Sequence, residues 1–139
     1  MITSIGLAAL FVALGGACNA VMDKVTHHFH KSIFKNLNPY IWNSNVSWRS
    51  KYVNGDHKQG RAKISILGFK FVKPVQFVDA WHFFKMWMVF FLCLAVVAIT
   101  GLDTDGWAWY NYYFLWVGLG VAWNVSFVSL YDHVFKSKK

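Results

Sequence analysis

Along this chain, long stretches without a charged residue alternate with stretches crowded with them. Ile2 to Met22, Met86 to Leu102 and Trp107 to Tyr131 contain no Asp, Glu, Lys or Arg. A helix needs about 20 apolar residues to cross a hydrocarbon core of roughly 30 Å. Each block approaches that length, the middle one once Ala80 to Phe84 are added as a first turn. The pattern therefore predicts membrane-spanning helices at about residues 2–22, 80–102 and 107–131. The first helix is expected to outrun its span, because no breaker occurs before the segment Asn36 to Pro39 and Val25, Phe29 and Ile33 recur at four-residue spacing.

The segment between the first two spans, about residues 31–78, has a different texture. It is polar yet carries Phe34, Tyr40, Trp42, Trp48, Tyr52, Phe69, Phe71 and Phe77, too many aromatics for a disordered tail. Asn54-Gly55-Asp56 reads as a turn. From Lys63 to Lys73, Ile64 and Ile66, then Gly68, then Phe69 and Phe71 alternate with polar residues. That pattern predicts a short hairpin or bulged strand lying on the membrane interface. The fold class is thus a single all-α membrane domain of three transmembrane helices with an interfacial loop holding a short β-hairpin.

Composition agrees. Only 14% of the 139 residues are charged, against about 25% in soluble domains, which excludes an ordinary soluble enzyme. The distribution of charge adds an orientation. All 14 Lys and Arg lie between Lys24 and Lys85 or between Lys136 and Lys139. By the positive-inside rule the N-terminus and the turn 103–106 face outward, and the loop and the C-terminus face the cytoplasm. A cleaved signal peptide is not expected, since no basic residue precedes the first apolar block. Gly6, Ala9, Ala13, Gly15 and Gly16 in the first span and Gly118, Gly120 and Ala122 in the third permit close helix packing, within the chain or in a homo-oligomer. Cys18 and Cys93 both fall in spans at different depths, so they read as small apolar fillers rather than a disulfide.

Given that topology, the positions of Asp and His carry information. Asp23, His27, His28 and His30 lie at the loop end of the first helix, Asp79 and His82 at the start of the second, Asp132 and His133 at the end of the third. Asp23, His27 and His30 would share one helical face, and so would Asp79 and His82. Carboxylate and imidazole at such spacing on neighbouring helices can build a metal site. Asp23, His27, His30 and His82 are the expected ligands, and oxygen and nitrogen donors suit Zn, Mn or Fe. The same groups without metal, with Asp79, could act as catalytic acid and base. Simpler roles compete: Asp79 suits a helix N-cap, and Asp132 could pair with Lys136. Neither His-Glu-x-x-His nor a histidine-box triplet occurs.

Asn19-Ala20-x-Met22-Asp23, His27-His28-Phe29, Ser32-Ile33-Phe34, Trp42-Asn43, Ser47-Trp48, Asp79-Ala80-Trp81-His82 and Lys85 resemble a family of small polytopic membrane proteins of bacteria and tailed bacteriophages. The likeness covers roughly residues 17 to 90 and omits the third span. It implies a bacterial inner membrane and no particular reaction.

Two functions from different classes follow. The leading expectation is a membrane-embedded hydrolase or transferase acting on a lipid headgroup or other anionic substrate. Asp23, His27, His82 and Asp79 would carry the chemistry, and Arg49, Lys51, Arg61 and Lys85, with Trp48, would hold the anion. The alternative is a non-enzymatic oligomer, holin-like or a small channel. Between Lys31 and Val78 nine basic residues face one Asp. That excess favours anionic lipid, the nearest polyanion, and points to no specific nucleic acid.

Overall fold

The computed structural model describes residues 2–137. It is mostly helical, with three long apolar helices and a two-stranded antiparallel hairpin between the first and second. Helix α1 runs Ile2–His27. After it come two short helices, α2 (Pro39–Trp42) and α3 (Ser44–Ser47), and the strands β1 (Lys63–Ile66) and β2 (Phe69–Val72). Helices α4 (Ala80–Thr100) and α5 (Trp109–Val128) complete the chain. The stretches able to span a membrane hold 25, 21 and 26 residues; at 1.5 Å per residue each exceeds a core of about 30 Å. By contacts the chain forms two compact units. One comprises residues up to Ala20 with Trp87–Val134, the other Val21–Met86 with the residues from Phe135 on.

In the first unit the small residues of α1 act through contact. A Cβ on Gly16 would lie 2.7 Å from the carbonyl oxygen of Trp123, and one on Gly15 3.1 Å from its ring. Ser126 donates to the carbonyl of Ala13 at 2.7 Å. Lipid tails are as apolar as leucine, so close packing and such hydrogen bonds hold helices together where the hydrophobic effect does not. The outward residues, among them Val96, Val97, Phe114, Trp116 and Val125, are exposed. A water-soluble protein rarely shows so much continuous apolar surface. The protein is a small membrane protein of the multi-pass kind.

The second unit has a core of Val21, Val25, Phe29 and Phe34, covered by Trp42, Trp81, Phe84 and Phe135. Phe34 stacks on Trp42 with ring centroids 4.9 Å apart. This core ends α1 earlier than its sequence suggests. The helix stops at His27, and 3₁₀ turns cover Phe29–Lys31 and Ile33–Asn36. Phe29 and Phe34 thereby both turn inward, while Ile33 is exposed. Buried Ser32 supports the bend, donating to the carbonyl of Phe29 at 2.7 Å and accepting from the amide of Phe34 at 3.2 Å. The chain end is tied to the same place, with Ile33 N–H donating to the Phe135 carbonyl at 3.1 Å and Ser137 N–H to that of Lys31 at 3.0 Å.

The loop is punctuated as its polar residues dictate. Asn38 and Asn43 cap α2 and α3, and Pro39 occupies the first turn of α2. The expected turn at 54–56 is present, with Asn54 and Gly55 at φ 50° and 74°. The hairpin pairs Lys63 with Val72, Ile64 with Phe71, Ser65 with Lys70 and Ile66 with Phe69. Its two-residue turn places Leu67 and Gly68 at φ 50° and 83°, the left-handed pair that such hairpins require.

Candidate functional site

Asp79 closes the loop immediately before α4 and is 5% exposed. One of its oxygens, Oδ1, accepts the backbone N–H of His82 at 2.9 Å, satisfying one of the amides that a helix start leaves without an intrahelical partner. The same carboxylate also grips the His82 ring, Nδ1 lying 2.9 Å from Oδ1 and 3.0 Å from Oδ2. Three-residue spacing at the first turn makes both contacts available at once. An ionised carboxylate only accepts, so the neutral ring keeps its proton on Nδ1 and presents the lone pair of Nε2. His82 remains a third exposed, reachable from solvent. Trp81 completes the group. Its ring meets that of His82 edge-on at 5.0 Å and carries the Lys85 ammonium 4.7 Å from its centroid.

The other candidate residues fall elsewhere. Asp23 and His27 approach each other at 3.6 Å on the last turns of α1, with side chains 40% and 63% exposed, a pair that water screens strongly. His30 does not share their helical face, because α1 has ended and His30 lies in the following 3₁₀ turn, edge-on to Phe29. His28 is exposed. Asp132 and His133 are exposed in a π-helical stretch, Ser129–Val134. Among the described residues no three His, Cys, Asp or Glu side chains come together in a group that could hold a metal ion. Asp23 with His27 and Asp79 with His82 are two separate pairs, and the second has the shorter contact and the more buried carboxylate.

Of the expected anion-holding residues, Arg49, Lys51 and Lys85 are each laid over a neighbouring ring. Arg49 sits 5.5 Å from the centroid of Trp48, and Lys51 5.3 Å from that of Tyr52. Trp48 is anchored by its indole N–H, which donates to the carbonyl of Asn45 at 3.1 Å. Arg61, also expected to hold the anion, falls in a basic grouping with Lys63 and Lys70 that sequence reasoning missed. Arg61, Lys63 and Lys70 line an open groove of about 500 Å³ with Gln59, Ser65 and Val53. The strand register was the signal, since Lys63, Ser65 and Lys70 fall on one face of the hairpin. A second, mostly apolar groove of about 320 Å³ is walled by Trp42, Phe77, Phe83 and Phe84, with Lys73 and Asp79 also in its lining. Also missed was Lys24, which is only 6% exposed beside Val25.

These features define a small multi-pass membrane protein with a carboxylate–imidazole pair at the loop end of its second long helix. Comparison with protein-family models, curated proteins and solved structures found no match to the chain.

Proposed function

We propose that the protein is an acid/base enzyme of a bacterial inner membrane, a hydrolase or transferase acting at the cytoplasmic leaflet on a lipid headgroup or other anionic substrate. The observation that carries this reading is the buried Asp79 carboxylate holding Nδ1 of a partly exposed His82. A carboxylate at Nδ1 fixes the tautomer and stabilises the imidazolium formed when Nε2 takes a proton. In hydrolysis of a phosphoester, Nε2 would accept a proton from the attacking water as the new P–O bond forms. It would return that proton to the leaving oxygen as the old P–O bond breaks. Lys85, held over Trp81, supplies a cation within the same helical turns for the substrate's negative charge. The geometry favours this route over a metal ion held by Asp23, His27, His30 and His82, because those four are not gathered into one group.

The test uses the full chain in nanodiscs containing anionic phospholipids, with lipid products followed by mass spectrometry. Turnover should fall by about 10²–10⁴ in His82→Gln and stay near wild type in His57→Gln, whose ring lies in the exposed 3₁₀ turn at 57–59. Equal turnover in His82→Gln and the unmutated protein would overturn the proposal.

One observation favours the oligomeric reading. Among the described residues, nothing outside the helix's own nearby backbone lies within 4 Å of a Cβ built on Gly118 or Gly120, so α5 presents small residues that those residues do not cover. A second copy could use that face, as small residues let helices approach in lipid. Crosslinked dimers that vanish in Gly118→Leu and persist in His82→Gln would support it.

A further inference from the structure

The hairpin β1–β2 is amphipathic, and its apolar face lies exposed. Ile64, Ile66, Phe69 and Phe71 occupy one face, since directly opposed residues of an antiparallel pair share a side. Lys63, Ser65, Lys70 and Val72 occupy the other, and Lys63, Ser65 and Lys70, with Ile64, line an open groove with Val53, Gln59 and Arg61. Every residue of the two strands is exposed except half-buried Ile64, so the apolar face has no cover. Phe69 is 70% exposed and Leu67, at the tip, 93%. A two-stranded hairpin on its own is marginally stable at best in water, and one with an uncovered apolar face gains when that face leaves water.

From these observations we propose that the hairpin is a membrane-inserting wedge, its partner the surface of a bilayer containing anionic lipid. Leu67, Ile66 and Phe69 enter the boundary between headgroups and acyl chains, and Lys63 and Lys70 on the opposite face meet lipid phosphates. Two facts select a bilayer over a protein partner. The eight residue steps from Val72 to Ala80 reach at most roughly 28 Å when fully extended, so the hairpin is tethered beside the span that α4 begins. The strands also combine an apolar side with a cationic one, the pattern by which amphipathic segments lie about 5–10 Å deep in an anionic interface. The wedge is independent of the Asp79–His82 chemistry.

The test places a single cysteine at Leu67, or at Ser65 on the polar face, in the full chain carrying Cys18→Ala and Cys93→Ala. Each variant is labelled with the environment-sensitive fluorophore NBD and reconstituted at one copy per nanodisc with mixed anionic and zwitterionic phospholipid. The label at 67 should emit to the blue of that at 65, be quenched by spin-labelled lipid, and be quenched by aqueous iodide at least about threefold less, as an insertion depth of 5–10 Å requires. In purely zwitterionic discs its iodide quenching should rise. Equal iodide quenching at 67 and 65 would place the hairpin in water and overturn the proposal. Shielding from iodide without quenching by spin-labelled lipid, or shielding that appears only with two copies per disc, would assign the face to protein and overturn it as well. Unchanged iodide quenching at 67 in zwitterionic discs would overturn the role given to anionic lipid.

Discussion

Replacing Asp79 with Asn separates its two roles. As the N-cap of α4 it accepts the His82 amide at 2.9 Å through Oδ1, and Asn caps as well as Asp does. Asp79→Asn should therefore leave the fold within about 0.5 kcal/mol of the original, while Asp79→Ala should cost about 0.5–2 kcal/mol. The proton chemistry should respond in the opposite order of severity. With the amide oxygen kept at the cap, the new NH₂ group takes the place of Oδ2, 3.0 Å from Nδ1 of His82. Two N–H groups cannot face each other there, so the ring shifts its proton to Nε2 and loses the lone pair that would act as base. A general base contributes about 10²–10⁴ in rate, and the Asn variant should lose most of it. Nitrogen-15 chemical shifts of the His82 ring report the tautomer directly, thermal melts in detergent report the cap, and lipid turnover reports the rate. An Asn variant with an unchanged tautomer and full turnover would refute the reasoning and leave Asp79 as a cap alone.

Two further outcomes follow from the helices. Gly16→Ala should destabilise the protein by about 1–3 kcal/mol, as overpacking does, because its Cβ would meet the Trp123 carbonyl oxygen at 2.7 Å; Gly118→Ala, with nothing within 4 Å, should be neutral or slightly stabilising in the same unfolding titration. Reporter fusions at residue 55 and at the C-terminus should both report the cytoplasm and one at residue 104 the outside, and opposite signals from 55 and the C-terminus would be incompatible with the two spans that separate them.

What could be read from the sequence divides along physical lines. The three long helices were legible because runs such as Met86 to Leu102 contain no charge, and in lipid that property alone decides whether a segment crosses. The hairpin was legible from the alternation of Ile64, Ile66, Phe69 and Phe71 around Gly68, and the Asp79–His82 pair from its three-residue spacing. The end of α1 was not. His27 to Lys35 contains no helix breaker, and what stops the helix is tertiary: Phe29 and Phe34 reach one core only if the chain bends at Ser32. His30 was misplaced for that reason, since its helical face was inferred from a helix that had already ended. The groove lined by Arg61, Lys63 and Lys70 needed the strand register, which a list of basic residues does not contain.

The two compact units are held by different forces, so the same substitution has different meanings in each. Among the helices around Gly15 and Gly16, a leucine gains nothing by leaving lipid for a neighbour, and fit at Trp123 together with the hydrogen bond from Ser126 to Ala13 decides the packing. Around Phe34, stacked on Trp42 and touching Phe135, burial from water drives packing in the usual way. Asp79 belongs to this second unit, and that placement matters for its chemistry. The carboxylate is 5% exposed and meets the His82 amide and ring, and that ring lies against Trp81, which packs on the aromatic core. Asp23 is more exposed, and its contact with His27 at 3.6 Å is one that water screens. The proposed acid/base chemistry therefore rests on the pair built on the core.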